Sequence, residues 1–196
     1  MGRTLTEKAA PVRTSRSDPL HIDEVIAGEQ CGRIGITFCP GKTGPSLYDF
    51  RWERDLAVDL GVIVAWGARA VVTLLEEHEL ALLGVPELGA QIRARGLDWH
   101  HLPIPDVQPP GARFEAGWQT SGPVLCNALL AGHRVLVHCR GGLGRAGTVA
   151  ARLLVELGMP AVEAIGRVRS ARPGAIETAE QEQYVLNLSR RRGAGS

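Results

Sequence analysis

The segment His138-Cys139-Arg140-Gly141-Gly142-Leu143-Gly144-Arg145 gathers residue types that can hold an anion and attack it. Glycines after a cysteine let successive backbone N–H groups turn inward and approach a ligand closely. The next stretch has helical periodicity, with Val149, Leu153 and Leu157 on one stripe. The loop therefore runs into a helix N-terminus, whose free N–H groups and positive dipole end favour anions, and phosphate fits such a hollow. A cysteine in that field is favoured as the thiolate, its nucleophilic form. Arg145, on the far lip, can grip two phosphate oxygens with its planar fork. The five residues between Cys139 and Arg145 are enough to wrap one tetrahedral anion.

The elements that must position this loop alternate along the chain. Arg33 to Cys39, Ala70 to Leu75, Leu97 to Ile104 and Arg134 to His138 read as strands. Helical patterns cover Phe50 to Trp66, Glu79 to Arg95 with a break at Pro86, and Phe114 to Ala131 interrupted near Gly122-Pro123. Three more run over Arg145 to Leu157, Pro160 to Arg169 and Thr178 to Ser189. This alternation predicts an α/β fold: a central, mostly parallel sheet of about four or five strands with helices on both faces. Ligands of such sheets sit beyond the carboxyl ends of the strands.

The chain of 196 residues is ordinary in composition, 44% hydrophobic and 22% charged, and its net charge is +1. That predicts one domain, with residues 1–20 a flexible lead, 21–190 the folded unit and 191–196 a tail. The charge balance argues against a nucleic-acid partner read from bulk charge. The polar N-terminus is not a secretory signal, and the apolar run Leu56 to Ala68 is short and holds Asp59, so no membrane span is expected. Cys31, Cys39, Cys126 and Cys139 form no CxxC pair, which predicts free thiols and a cytoplasmic location. No cluster has metal-ligand spacing: neighbours such as His100 and His101 point to opposite faces of a strand. Neither a metal nor an organic cofactor is expected. The oligomeric state is not encoded in any pattern here.

With these residues in view, His138 through Arg145 resembles the HCx5R signature of the cysteine-based protein tyrosine phosphatases. The wider chain is similar to the dual-specificity branch, and within it to the kinase-associated phosphatase type. The matching pieces are Gly35-Ile36-Thr37-Phe38-Cys39-Pro40-Gly41, His101-Leu102-Pro103-Ile104-Pro105-Asp106, the loop itself, and Gly174-Ala175-Ile176. They span about residues 30–190. The resemblance implies metal-free hydrolysis of phosphomonoesters through a phosphocysteine, on phosphorylated proteins or small phosphomonoesters. Cys139 would be the nucleophile. Arg145 and the loop amides of Arg140, Gly141, Gly142, Leu143 and Gly144 would hold the phosphate oxygens. Asp106 would be the general acid; by itself it also reads as a turn cap before Gln108-Pro109. Gln181 lies where relatives position the hydrolytic water. Thr178-Ala179-Glu180-Gln181 is equally a capping box. Lys42, after Pro40-Gly41, could add positive charge near the site, but reads more readily as a solvated turn residue.

One departure stands out. The family usually places Ser or Thr after the loop arginine, where its hydroxyl supports the departing thiolate; here the residue is Ala146. Three rival readings compete. A phosphate-binding module with impaired turnover would take Ala146 as its lesion. A dinucleotide-binding oxidoreductase would use the glycines from Gly142 to Gly147 but needs a following strand ending in an acid, and Gly158-Met159-Pro160 leads into another helix. A sulfurtransferase leaves Asp106 without a task.

Overall fold

The computed structural model describes residues 10–46 and 49–193, the last five of them by backbone alone. The first part of the chain runs β1 (Val12–Thr14), β2 (Asp23–Ile26), β3 (Arg33–Phe38), β4 (Thr43–Pro45), β5 (Arg51–Glu53), α1 (Leu56–Ala65) and β6 (Ala68–Thr73). It continues through α2 (Glu77–Leu82), α3 (Leu88–Arg93), β7 (Asp98–His101), α4 (Ala112–Leu130) and β8 (Arg134–Cys139). Helices α5 (Gly144–Glu156), α6 (Ala161–Ala171) and α7 (Ala179–Gly193) complete it.

The main sheet has five strands in the order β2-β3-β8-β6-β7. Only β2 runs antiparallel to its neighbour. β8 reads Arg-Val-Leu-Val-His-Cys, and five of its six residues are buried. A run apolar on both faces suits a central parallel strand, and β8 lies between β3 and β6, pairing Phe38 with Cys139 and Thr73 with His138. Alternation splits the core. Val135 and Val137 pack with Val72, Phe114, Leu153, Ile165 and Val185 of the α4–α7 layer. Leu136 packs with Val71, Leu60, Ile63, Leu80, Leu88 and Ile92 of the α1–α3 layer. Burying each such side chain contributes about 1.5–3 kcal/mol.

The structure departs from the sequence reading in four places. Residues 51–53, expected as the start of a helix, are β5; α1 starts only after Asp55, whose carboxylate caps it by accepting from the Val58 N–H at 3.1 Å. A second sheet, β1-β5-β4, was not anticipated, and it draws Val12–Thr14 out of the expected flexible lead. Helix α4 continues through Pro123 without interruption. Gly122 carries no Cβ, which would sit 2.4 Å from the Trp118 indole nitrogen. Trp118 can therefore lie along the helix and donate to Glu156 Oε1 at 2.7 Å. Finally, α7 runs to Gly193, past the expected start of the tail.

Candidate active site

Cys139 ends β8, and α5 begins five residues later at Gly144, so the loop lies beyond the carboxyl edge of the sheet. Gly142 has φ +70°, and a Cβ there would fall 2.4 Å from the Thr37 carbonyl of β3. Only glycine fits. Its N–H donates to Cys139 Sγ at 3.2 Å. The loop carbonyls are held on the outside. Lys42 Nζ donates to Arg140 O at 3.2 Å, and Arg172 donates to Gly141 O at 3.0 Å and to Gly142 O. Arg172 is itself paired with Asp23 of β2. In a trans peptide the N–H points opposite the C=O. Outward carbonyls at 140–142 therefore turn the amides of Gly141, Gly142 and Leu143 inward. The Gly144 amide, expected to face the anion, instead donates to Glu177 Oε2 at 2.7 Å.

Arg145 lies on the first turn of α5 and is 2% exposed. Its Nη1 and Nη2 donate to the two Glu79 oxygens at 2.6 and 2.9 Å. Nη1 also donates to Ile104 O at 3.0 Å, and Nη2 lies 2.9 Å from Asp106 Oδ1. Burial works against this charge, but the Glu79 bonds together with Cys139 and Asp106 outweigh it and hold the guanidinium pKa above the usual arginine value. For Glu79, burial is likewise overcome by the bonds from Arg145, and its pKa is lowered. Sequence reasoning missed Glu79. Its visible signal is a capping spacing: Glu79 also accepts from the Glu76 N–H at 2.9 Å, closing a capping box on α2. Nothing in that spacing points to Arg145.

Asp106 follows β7 on a loop tied to the sheet by Leu102 N–H to Thr73 O and Ile104 N–H to Leu74 O, both 3.0 Å. It faces the same cavity as Cys139 and Arg145. Val107, the next residue, has φ +56°, a strained setting for a β-branched side chain. Ile176, just before Glu177, shares this feature at φ +60°. Both strained residues thus adjoin carboxylates that line the cavity.

Gln181 is fully buried. Its Oε1 accepts from the backbone N–H groups of Glu177 at 3.0 Å and Thr178 at 3.4 Å, while its own N–H donates to Thr178 Oγ1 at 3.2 Å. This is the geometry of the helix cap. Its Nε2 reaches Gln108 O at 3.2 Å, which links the α7 cap to the Asp106 loop. Lys42 is not the solvated turn residue expected. It is 6% exposed and lines the cavity, with Nζ 4.4 Å from the Phe38 ring centroid and 4.1 Å from that of Trp52. Burial pushes its pKa down to about 8.

His138 lies fully buried behind the nucleophile, with Nε2 2.8 Å from Thr73 Oγ1. Burial pushes its pKa from 6.5 down to about 3. The unfolded chain takes up this proton near pH 6.5, whereas the folded chain does so only near pH 3. Stability is then complete above about 6.5 and falls with decreasing pH by up to about 1.4 kcal/mol per unit. Urea midpoints measured from pH 6.5 to 5 are expected to drop for this reason, and His138→Gln should flatten the decline. An equal slope in the variant would assign the acid sensitivity elsewhere.

The cavity of about 350 Å³ thus joins a cysteine sulfur, an arginine and a carboxylate at the rim of inward amides. A sequence-family model described as "Swiss Army Knife protein, DSP-PTPase phosphatase domain" matches residues 56–185. The chain belongs to the dual-specificity phosphatase family. Among curated relatives, the "Cyclin-dependent kinase inhibitor 3" of Rattus norvegicus is 33% identical over 155 residues, covering 78% of this chain and 69% of that protein. The "Protein tyrosine phosphatase PRL-1" of Leishmania major is 32% identical over 128 residues, 60% of this chain and 71% of its own. Among solved structures, kinase associated phosphatase with its catalytic-site cysteine replaced by serine superposes with a TM-score of 0.75 at 27% identity, over 89% of this chain and 97% of that one. The active form of Tk-PTP gives 0.64 at 30% identity, over 86% and 97%. The α/β fold and the phosphatase reading from the sequence hold, and the dinucleotide reading does not. Among the described residues, no helix of this dual-specificity phosphatase is long and apolar enough to cross a membrane.

Proposed function

We propose that this phosphatase hydrolyses phosphomonoesters through a phosphocysteine at Cys139, with Arg145 as the oxygen clamp and Asp106 as the general acid. One observation carries the assignment. Four of the five guanidinium N–H donors of Arg145 are taken, two by Glu79, one by Ile104 and one by Asp106, and Nε has no partner among the described residues. A phosphate bound through two oxygens needs two adjacent donors. The pair on offer is Nε and the Nη2 proton that Asp106 holds. Substrate binding therefore displaces Asp106 from the guanidinium and releases its carboxyl group to reach the leaving oxygen. Glu79 keeps the other edge and fixes the fork.

The steps then balance. The Cys139 thiolate forms the S–P bond as the ester P–O bond breaks, and protonated Asp106 gives its proton to the leaving oxygen. Asp106, now a carboxylate, takes a proton from water as that water attacks phosphorus. The P–S bond breaks, and thiolate and inorganic phosphate are released. Inward amides and the fixed guanidinium stabilise the charge on the transferring group without reorganising. The substrates proposed are phosphotyrosine, phosphoserine and phosphothreonine in proteins, and small phosphomonoesters; the name of the relative "Protein tyrosine phosphatase PRL-1" points to the first. Rapid quenching during aryl phosphate turnover tests the pathway. One phosphoryl group is expected on the peptide carrying Cys139; turnover with no such adduct on any peptide would overturn it.

Ala146 is fully buried behind the loop. Thr148 does not replace the missing hydroxyl, because its Oγ1 donates to Gly144 O at 2.7 Å. The sulfur leaves phosphorus supported by the Gly142 amide. A hydrogen bond to a charged group contributes about 1.5–3 kcal/mol, so Ala146→Ser should speed phosphoenzyme breakdown by roughly 10- to 150-fold. Single-turnover decay of the adduct measures this, and an unchanged decay in a folded variant would refute it.

A further inference from the structure

The walls of the cavity differ in charge. Asp106 and Glu177 line it with both carboxylates already engaged, Asp106 by Arg145 and Glu177 by the Gly144 amide, and Gln181 ties their two loops together. Lys42 and Arg140 face the same space with no carboxylate in ion-pair reach among the described residues. Their neighbours are neutralised. Arg54 is paired with Asp59 at 2.8 Å with both side chains fully buried, Arg145 with Glu79, and Arg172 with Asp23. Among the described residues, Lys42 makes one hydrogen bond, to Arg140 O, and its ammonium lies over the faces of Phe38 and Trp52. A nearly buried ammonium whose nearest opposite charge is the Cys139 thiolate gains from an anion that a ligand brings beside it. Arg140 adds a second like charge beside it, exposed and with no ion pair among the described residues.

We propose that Lys42 and Arg140 form a second-anion subsite beside the phosphate seat, which selects compact phosphomonoesters carrying another phosphate next to the scissile one. The inference rests on the phosphatase reading. The cavity has room for more than one phosphoryl group, and its acidic side repels a second anion placed there. Selection is therefore directional: an adjacent phosphate gains when it turns toward Lys42, and a remote one gains nothing.

The test compares catechol bisphosphate, whose phosphates are adjacent, with hydroquinone bisphosphate and phenyl phosphate. The expected result is a preference of about 10-fold in kcat/KM for the catechol compound. Lys42→Met and Arg140→Met should each reduce that ratio, and Lys42→Arg should restore it. Arg140 is exposed, so R140M keeps the argument testable if K42M does not fold. Calorimetry with the Cys139→Ser protein repeats the comparison as affinities, independent of turnover. No hydrolysis of phenyl phosphate would sink the phosphatase reading, whereas hydrolysis with equal ratios for wild type and variants would sink only the subsite. A phosphotyrosine peptide flanked by aspartates is the counter-probe. If it gains from Lys42 and Arg140 while catechol bisphosphate does not, the subsite serves acidic peptides and the inference is overturned.

Discussion

Cys139→Ser is expected to bring turnover of aryl phosphates below detection while leaving the melting temperature and the affinity for substrate close to those of wild type. Oxygen replaces sulfur at a position 3% exposed, so the packing changes little. The Gly142 N–H that donates to Sγ can donate to Oγ instead. A serine hydroxyl, however, is not ionised at neutral pH, and the buried imidazole cannot activate it: His138 is directed at Thr73, and a pKa near 3 makes it too weak a base to take the hydroxyl proton. The nucleophile is lost and the anion site is kept. Steady-state rates, thermal melting and calorimetry with phenyl phosphate separate these outcomes. Residual activity within tenfold of wild type would mean that Cys139 does not attack phosphorus.

Asp106→Asn should lower kcat for phenyl phosphate by about 10²- to 10⁴-fold, the usual contribution of a positioned acid. The loss should shrink for a leaving group as acidic as nitrophenol, which departs without help. The wild-type pH–rate profile is expected to be a bell, and the variant should lose its basic limb. The preference for an adjacent second phosphate should fall above about pH 8 in both proteins, because burial pushes the Lys42 pKa down to about 8. The variant also weakens the contact from Asp106 to Arg145 Nη2. If that contact competes with substrate, KM should fall as kcat falls. An unchanged basic limb in Asp106→Asn would assign the acid to another group, and Glu177, on the same cavity wall, is the next to replace.

That Cys139 and Arg145 meet in one cavity, on the sheet that carries them, was legible because each depends on local order: an apolar run, then glycines, then a helical stripe. β8 and α5 follow from residues adjacent in sequence, and so does the glycine requirement at 142. What stayed hidden was long-range. Glu79 reaches Arg145 across 66 residues, and nothing near Glu79 signals the contact. Lys42 follows Pro40-Gly41, a turn that reads as surface, yet Asp59 accepts from the Gly41 N–H at 2.8 Å and brings that turn against the loop. The second sheet is built from strands of three residues, too short for any alternation to show. Pro123 misled for a different reason: a missing N–H inside a helix is tolerated when the helix is held along one face by Phe114, Trp118, Leu125 and Leu129.

The place of β8 in the sheet sets an order of assembly. β3 and β6 are synthesised first, yet they never touch; each pairs with a strand that emerges about a hundred or sixty residues after it. A nascent chain ending before residue 134 lacks the strand that joins β3 to β6. Contacts so distant in sequence close slowly. The same late insertion that joins these two strands delivers the sulfur, so the reactive thiol is sheltered in its ring of amides from the moment the sheet becomes continuous.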